Sequence, residues 1–143
     1  LELNTGGTFD NAISGSGQVV KSGDKTLTLS GSNTYNGGTT INDGTLISDG
    51  TLVANDVNAL GTGDITDNAT LALNAVGDFD NAISGSGKVE KSGDDALTLS
   101  GSNTYTGGTL ISSGTLVASN VEALGTGDVT DNATLEMNSG GTF

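Results

Sequence analysis

The sequence predicts an all-β protein, a parallel β-helix or β-solenoid of about seven coils, each of roughly 19 to 26 residues. Three observations carry that expectation. A stretch of strand and turn residues, Leu27-Thr28-Leu29-Ser30-Gly31-Ser32-Asn33-Thr34-Tyr35-Asn36-Gly37-Gly38-Thr39, returns as Leu97-Thr98-Leu99-Ser100-Gly101-Ser102-Asn103-Thr104-Tyr105-Thr106-Gly107-Gly108-Thr109. Apolar residues alternate with polar ones inside it, the period-two pattern of a strand with one buried face. Thr-Leu pairs recur at a spacing of about 19 residues along most of the chain, a period that suits one coil of a solenoid.

Composition excludes most other classes. With 33% hydrophobic residues, 3% aromatic residues and no Trp, a single globular core over 143 residues would be thin. The absence of proline, of cysteine and of long apolar runs argues against collagen, disulfide-scaffold and transmembrane readings. Low hydrophobicity with a net charge of −13 leans toward disorder, but regular Val/Ile/Leu/Thr alternation between glycine turns speaks for strands. The acidic residues number 17 against four lysines, Lys21, Lys25, Lys88 and Lys91. Phosphate backbones would be repelled and anionic membrane surfaces disfavoured, so neither nucleic-acid binding nor membrane insertion of this segment is expected. The acids read as a solvated surface. The lack of cysteine fits a chain that crosses an oxidising space without forming disulfides. With Leu1 in place of an initiator Met and no leader, a mature segment or an excerpt is expected.

Taken in order, Phe9-Asp10-Asn11-Ala12-Ile13-Ser14-Gly15-Ser16-Gly17 returns as Phe79-Asp80-Asn81-Ala82-Ile83-Ser84-Gly85-Ser86-Gly87, an offset of 70. Lys21 to Lys91 and Tyr35 to Tyr105 keep that offset. Beyond Gly44 it falls to 64, since Ala59-Leu60-Gly61-Thr62-Gly63-Asp64 matches Ala123-Leu124-Gly125-Thr126-Gly127-Asp128. The six inserted residues are visible as a local duplication, Gly44-Thr45-Leu46-Ile47-Ser48-Asp49 followed by Gly50-Thr51-Leu52-Val53-Ala54-Asn55. Residues 1–143 thus read as one repetitive segment: 1–8 are the tail of a preceding unit, 9–78 a first unit and 79–142 a second.

A unit that long contains a shorter period. Thr26-Leu27, Thr45-Leu46, Thr51-Leu52, Thr70-Leu71, Ala96-Leu97, Thr115-Leu116 and Thr134-Leu135 are expected to open successive strands. The steps from 26 to 45, 51 to 70, 96 to 115 and 115 to 134 are each 19, and those from 45 to 70 and 70 to 96 are 25 and 26. These longer steps are read as coils enlarged at a corner. Leu27, Leu29, Leu71, Leu73, Leu97 and Leu99 are then expected to point inward, with Thr28 and Thr98 facing solvent. Each coil buries its apolar residues on neighbours at about 4.8 Å spacing, so only a narrow interior is needed. Gly-Thr, Gly-Ser-Gly and Asn-Asp sequences suit the corners. Val57-Asn58-Ala59-Leu60 is too short for a helix before Gly61. An antiparallel β-sandwich is the alternative fold, but it leaves the Thr-Leu period unexplained.

The duplicated stretch, followed by Ile111, Gly114-Thr115-Leu116 and Ala123-Leu124-Gly125-Thr126-Gly127, resembles the autotransporter-associated β-strand repeat, also called the passenger-associated transport repeat, of Gram-negative surface proteins. The resemblance spans essentially the whole chain. It implies a right-handed parallel β-helix exported by the type V route through an outer-membrane β-barrel translocator, and displayed at the cell surface or outside the cell as an adhesin, stalk or fibre.

No catalytic, cofactor or metal residue is assigned. Asn33 and Asn103 sit beside glycine corners, where their side chains can satisfy backbone groups left open by a turn. Tyr35 and Tyr105 could offer a sugar-stacking face, but packing at a corner is the simpler reading for two aromatics three coils apart. Phe9, Phe79 and Phe143 share one phase and are expected inside the coil. Asp64/Asp67 recur as Asp128/Asp131, so the acids follow the repeat, whereas a catalytic carboxylate pair would be unique. Without His, Arg or Cys, bases and nucleophiles are few, and an enzyme is not expected. Gly61-Thr62-Gly63-Asp64-Ile65-Thr66-Asp67 lacks the spacing and nine-residue period of a calcium-binding roll. Thr28 and Thr98 are too far apart for a flat ice-binding array.

The expectation is a non-enzymatic structural repeat region, a shaft or fibre element whose partners are neighbouring repeats or copies of itself. The alternative is an adhesive module that contacts glycans or host proteins through its flank. Residues 1–9 occupy the same phase as 135–143, and neither end reads as a polar capping coil. An excerpt of a longer array, or one protomer of a head-to-tail filament, is therefore expected.

Overall fold

The computed structural model describes residues 1–42 and 50–142. The Thr45-Leu46 pair, the duplicated 44–49 segment and Phe143 lie outside the described residues. Within the described residues sixteen short strands, numbered in chain order, build three parallel sheets. The first sheet holds β1 (Glu2–Leu3), β3 (Val19–Lys21), β5 (Thr39–Ile41), β7 (Ile65–Asp67) and β10 (Ile83–Ser84). The second holds β2 (Gly7–Phe9), β4 (Leu27–Leu29), β6 (Thr51–Ala54), β8 (Thr70–Leu73), β11 (Lys88–Lys91), β13 (Thr109–Ile111) and β15 (Val129–Asp131). The third holds β9 (Gly77–Phe79), β12 (Ala96–Leu99), β14 (Thr115–Ala118) and β16 (Thr134–Met137). The seven strands of the second sheet mark seven rungs separated by six steps, so the chain is a β-solenoid of the predicted kind.

Strands form where period-two alternation lets one face go inward. Leu27, Leu29, Leu71, Leu73, Leu97 and Leu99 are all at most 1% exposed, as expected from the alternation. Thr28 and Thr98 face outward between their neighbours on the ladder and are half-buried. In register, Leu27, Leu52, Leu71 and Val89 stack as one interior column, and Leu29, Ala54, Leu73 and Lys91 as the next. Each buried leucine is worth roughly 2 kcal/mol of transfer free energy, repeated up the stack.

Paired residues on the second sheet are 19, 18, 20 and 20 apart from Val53 through Ala72, Glu90 and Leu110 to Thr130. The step from Thr28 to Val53 is 25, and that from Thr40 to Thr66 on the first sheet is 26. Both long steps span 43–49, and the described ladders on either side keep their register. The longer step from Thr70 to Ala96 has a different cause. Leu71 pairs with Val89, one ordinary turn on, and Leu97 pairs with Gly77 in another sheet. That step is a turn plus a change of face, which corrects the enlarged coil expected there.

The change of face applies to the whole unit. β3 lies in the first sheet and its repeat counterpart β11 in the second, and β4 lies in the second and β12 in the third. Three full turns carry Val20 through Thr40 and Thr66 to Ser84. The unit does not stop there but runs on to Glu90, the repeat counterpart of Val20, on the next face. Equivalent residues of the two units therefore sit one face apart.

Val57-Asn58-Ala59-Leu60 forms a turn, closed by Ala59 N–H on Asp56 C=O at 3.0 Å and Gly61 N–H on Asn58 C=O at 3.1 Å. Gly61 ends it at φ 68°, where a Cβ would collide with the Tyr35 carbonyl. Gly125 repeats the arrangement at φ 66° against Tyr105.

Candidate functional site

The polar residues singled out by the repeat go into the solenoid rather than onto its flank. Asn33 is 2% exposed, and its Oδ1 accepts the Ile13 N–H at 2.6 Å while its Nδ2 donates to the Ala59 carbonyl. Asn103 is equally buried and does the same between Ile83 N–H, at 2.8 Å, and Ala123 C=O, at 2.6 Å. Each Asn thus ties three successive rungs together, alongside backbone bonds such as Thr34 N–H to Ile13 C=O and Thr104 N–H to Ile83 C=O. The turn-satisfying role expected for them extends to the rung on either side.

Tyr35 and Tyr105 are at most 1% exposed and present no sugar-stacking face. Tyr35 Oη lies 2.6 Å from Thr39 Oγ1, and that hydroxyl donates to the Leu60 carbonyl at 3.2 Å. A threonine hydroxyl has one hydrogen, so the tyrosine is the donor in the first bond. Tyr105, Thr109 and Leu124 repeat the chain at the same 2.6 and 3.2 Å. Burial raises both phenols; Tyr105 is pushed up to about 12, with the Thr109 bond opposing burial and the Asp67 carboxylate adding to it.

Lys21 and Lys91 are also interior, at 0% and 1% exposure. Lys21 Nζ donates to the Ser22 and Gly23 carbonyls at 2.8 Å each, and Lys91 Nζ to Ser92 at 2.7 Å and Gly93 at 2.8 Å. Desolvation lowers both ammonium groups; Asp24 opposes it at Lys21, and Asp95 and Asp94 oppose it at Lys91. Sequence reasoning left these lysines unassigned. The signal was present in Val19-Val20-Lys21, where alternation puts Lys21 on the inward side with Val19.

The carboxylates separate. Asp67 is fully buried in β7, and its Oδ1 accepts the Ala69 N–H at 3.0 Å. Its counterpart Asp131 makes the same 3.0 Å bond to Ala133 N–H but is exposed on the last rung. Asp64 and Asp128 sit at the corners where their carbonyls accept Thr39 and Thr109 N–H groups. Outside, acids are matched to serines of the adjacent rung: Ser22 to Glu2 at 2.9 Å, Ser112 to Glu90 at 2.9 Å, Ser30 to Asp10, Ser100 to Asp80 and Ser102 to Glu122. Serine, not another acid, faces these carboxylates, which relieves like-charge stacking. Phe79 is buried and Phe9, on the first rung, half-buried.

Concavities remain outside the packed interior. One of about 320 Å³ lies on the flank where the units meet, lined by Asn58, Asp64, Asp78, Asp80, Asn81 and Ser102 among others. Asn81 Nδ2 there is engaged by the Gly61 and Gly63 carbonyls at 3.1 and 2.7 Å. Another, of about 490 Å³, is the open C-terminal end of the interior, walled by Val121, Leu124, Val129, Leu135 and Met137. Among the described residues no group of three or more acids is placed to hold a metal ion, and no helix is long and apolar enough to cross a membrane.

No curated protein and no solved structure matches the chain. Residues 19–47 and 89–118 each match the passenger-associated-transport-repeat. These segments contain β3 to β5 and β11 to β14, with the buried lysine, asparagine and tyrosine of each unit. Two segments of the chain therefore match the passenger-associated-transport-repeat, and the strands of both belong to one parallel β-solenoid.

Proposed function

We propose that the chain is a shaft segment of an autotransporter passenger, a non-enzymatic spacer that stands at the surface of a Gram-negative cell or outside it and reaches there through an outer-membrane β-barrel. The repeat family and the solenoid fold fit a structural passenger repeat. One observation carries the reading: Lys21/Lys91, Asn33/Asn103 and Tyr35/Tyr105 come in pairs and are taken up by equivalent interior bonds in both units. Chemistry repeated in this way serves the stack. The acids on the flank are likewise bonded to serines of the next rung.

The adhesive alternative rests on the 320 Å³ flank concavity where the two units meet. A glycan array probed with the purified chain separates the two. A shaft leaves the array silent. Reproducible binding that is lost in N58A/S102A, with the fold retained, would replace the shaft reading with the adhesive one. Export is tested by joining the chain to a barrel translocator and measuring protease accessibility on intact cells, where a passenger segment is digested from outside.

A further inference from the structure

Glycine follows Asn36, and no other Asn-Gly pair occurs in the sequence. The pair sits at a corner just before β5, with both residues exposed. Asn36 is tied to the neighbouring rung through its backbone N–H, which donates to Gly15 C=O at 3.2 Å. Among the described residues neither the Asn36 side-chain amide nor the Gly37 N–H has a hydrogen-bond partner. Asn33, Asn103, Asn81 and Asn120 differ on each count. The first two are buried with both ends of the amide bonded, and the other two donate to backbone carbonyls. All four precede a residue with a Cβ, namely Thr, Ala or Val.

The second unit lacks the pair. Thr106 stands at the corner equivalent to Asn36, and Gly107 N–H donates to Gly87 C=O at 3.0 Å, a bond with no counterpart at Gly37. One corner of the repeat therefore combines an exposed carboxamide with a neighbouring backbone nitrogen that nothing holds. Because glycine has no Cβ, that nitrogen is open to the carboxamide carbon.

We propose that Asn36-Gly37 is a self-modification site, at which the asparagine amide is lost by attack of the next backbone nitrogen and the isoaspartate that results loosens the corner. The Gly37 nitrogen gives up its proton to solvent and bonds to Asn36 Cγ. The Cγ–Nδ2 bond breaks, and Nδ2 takes up a proton and leaves as ammonia. Water then opens the five-membered succinimide at either carbonyl, which leaves aspartate or isoaspartate at position 36. Either product adds a negative charge to a chain already at −13. Isoaspartate also carries the backbone through Cβ and Cγ, one atom longer than before, and the corner has no slack for it. A Cβ built on Gly37 would stand 2.5 Å from the Gly17 carbonyl carbon, and one built on Gly63 would stand 2.7 Å from the Asn36 carbonyl oxygen. The rungs on both sides thus press on this backbone, next to the Tyr35–Thr39 bond. The chemistry needs no partner protein and stands apart from the shaft reading.

The test ages the purified, folded chain in mildly alkaline buffer and cleaves it with an acid-active protease, so that no further reaction occurs during digestion. Mass spectrometry with electron-transfer fragmentation then locates each converted residue and tells isoaspartate from aspartate. Position 36 should gain the mass of an NH2-to-OH exchange roughly tenfold faster than Asn33 or Asn103, where burial and a following Thr hinder the ring. A lower-melting fraction should grow in step with isoaspartate. Asn36→Thr, which places the second unit's residue at this corner, should fold and show neither change. The proposal is overturned if position 36 stays intact in the folded chain under conditions that convert it in urea, or if Asn33 or Asn103 converts as fast. Isoaspartate gained without loss of thermal stability overturns it equally. Should the Asn36→Thr chain fail to fold, folded and urea-unfolded wild type decide the matter alone.

Discussion

Replacing Asn103 by alanine should cost more stability than its side-chain size suggests, because its amide satisfies buried backbone groups on the two neighbouring rungs. Asn103→Ala orphans two buried backbone groups, the Ile83 N–H and the Ala123 carbonyl. Each unsatisfied group costs about 1–3 kcal/mol, so the loss should be about 2–6 kcal/mol. In a chain of 143 residues even the middle of that range lowers Tm by roughly 10 °C. Urea unfolding followed by circular dichroism measures it, with Ser102→Ala as the exposed control within about 0.5 kcal/mol of wild type. Asn33→Ala should lose a similar amount, as its bonds to Ile13 and Ala59 are equivalent. If both variants lose no more than the exposed control does, the claim that these amides brace the stack is refuted.

Four further outcomes are expected. Leu99→Asp buries an unpaired carboxylate at a site with 0% exposure and should cost several kcal/mol or abolish folding, with Thr28→Asp almost neutral in the same denaturation assay. Thr98→Asp should fall between them, because its partner on the ladder is Asp78, whereas Thr28 pairs with Thr8 and Val53. Gly125→Ala should cost at least ~1–2 kcal/mol in thermal melts, from φ 66° and the collision with the Tyr105 carbonyl, and Gly140→Ala, with open space around it, almost nothing. In alkali, tyrosinate absorbance should show Tyr105 ionising near 12. A phenol raised above its unfolded value of about 10 contributes stability that is full below that pH and fades as pH climbs to about 12. The lysines act with the opposite sign. Their lowered ammonium groups contribute stability present in full above 10.5 and lost as pH falls through the folded value. Wild type compared with K21M/K91M should therefore gain relative stability as pH rises from neutrality toward 10.5.

Much of this protein is written in local pattern. Alternation at Leu27/Leu29 and Leu97/Leu99 specifies strands and their inward face, because side chains on a strand have a period of two whatever the strand packs against. The two repeat offsets, 70 and then 64, reveal two units, and their difference locates the insertion between β5 and β6. Even the burial of Lys21 beside Val19 is implied by the alternation, although a charge expected at the surface obscures it.

Which strand lies on which was decided by the winding alone. The Thr-Leu pairs align Leu71 with Leu97 in sequence, yet Leu71 is covered by Val89, because a turn closes well short of Leu97 and the unit overruns three turns by one face. The partners of Asn33 and Asn103 are likewise set by the rungs stacked above and below, about one turn away in either direction. Asp67 and Asp131 show the same limit: one residue type in one phase is buried in the stack and exposed on its last rung. Sequence periodicity states which way a side chain points, and the accumulated rotation of the coil states what it meets there.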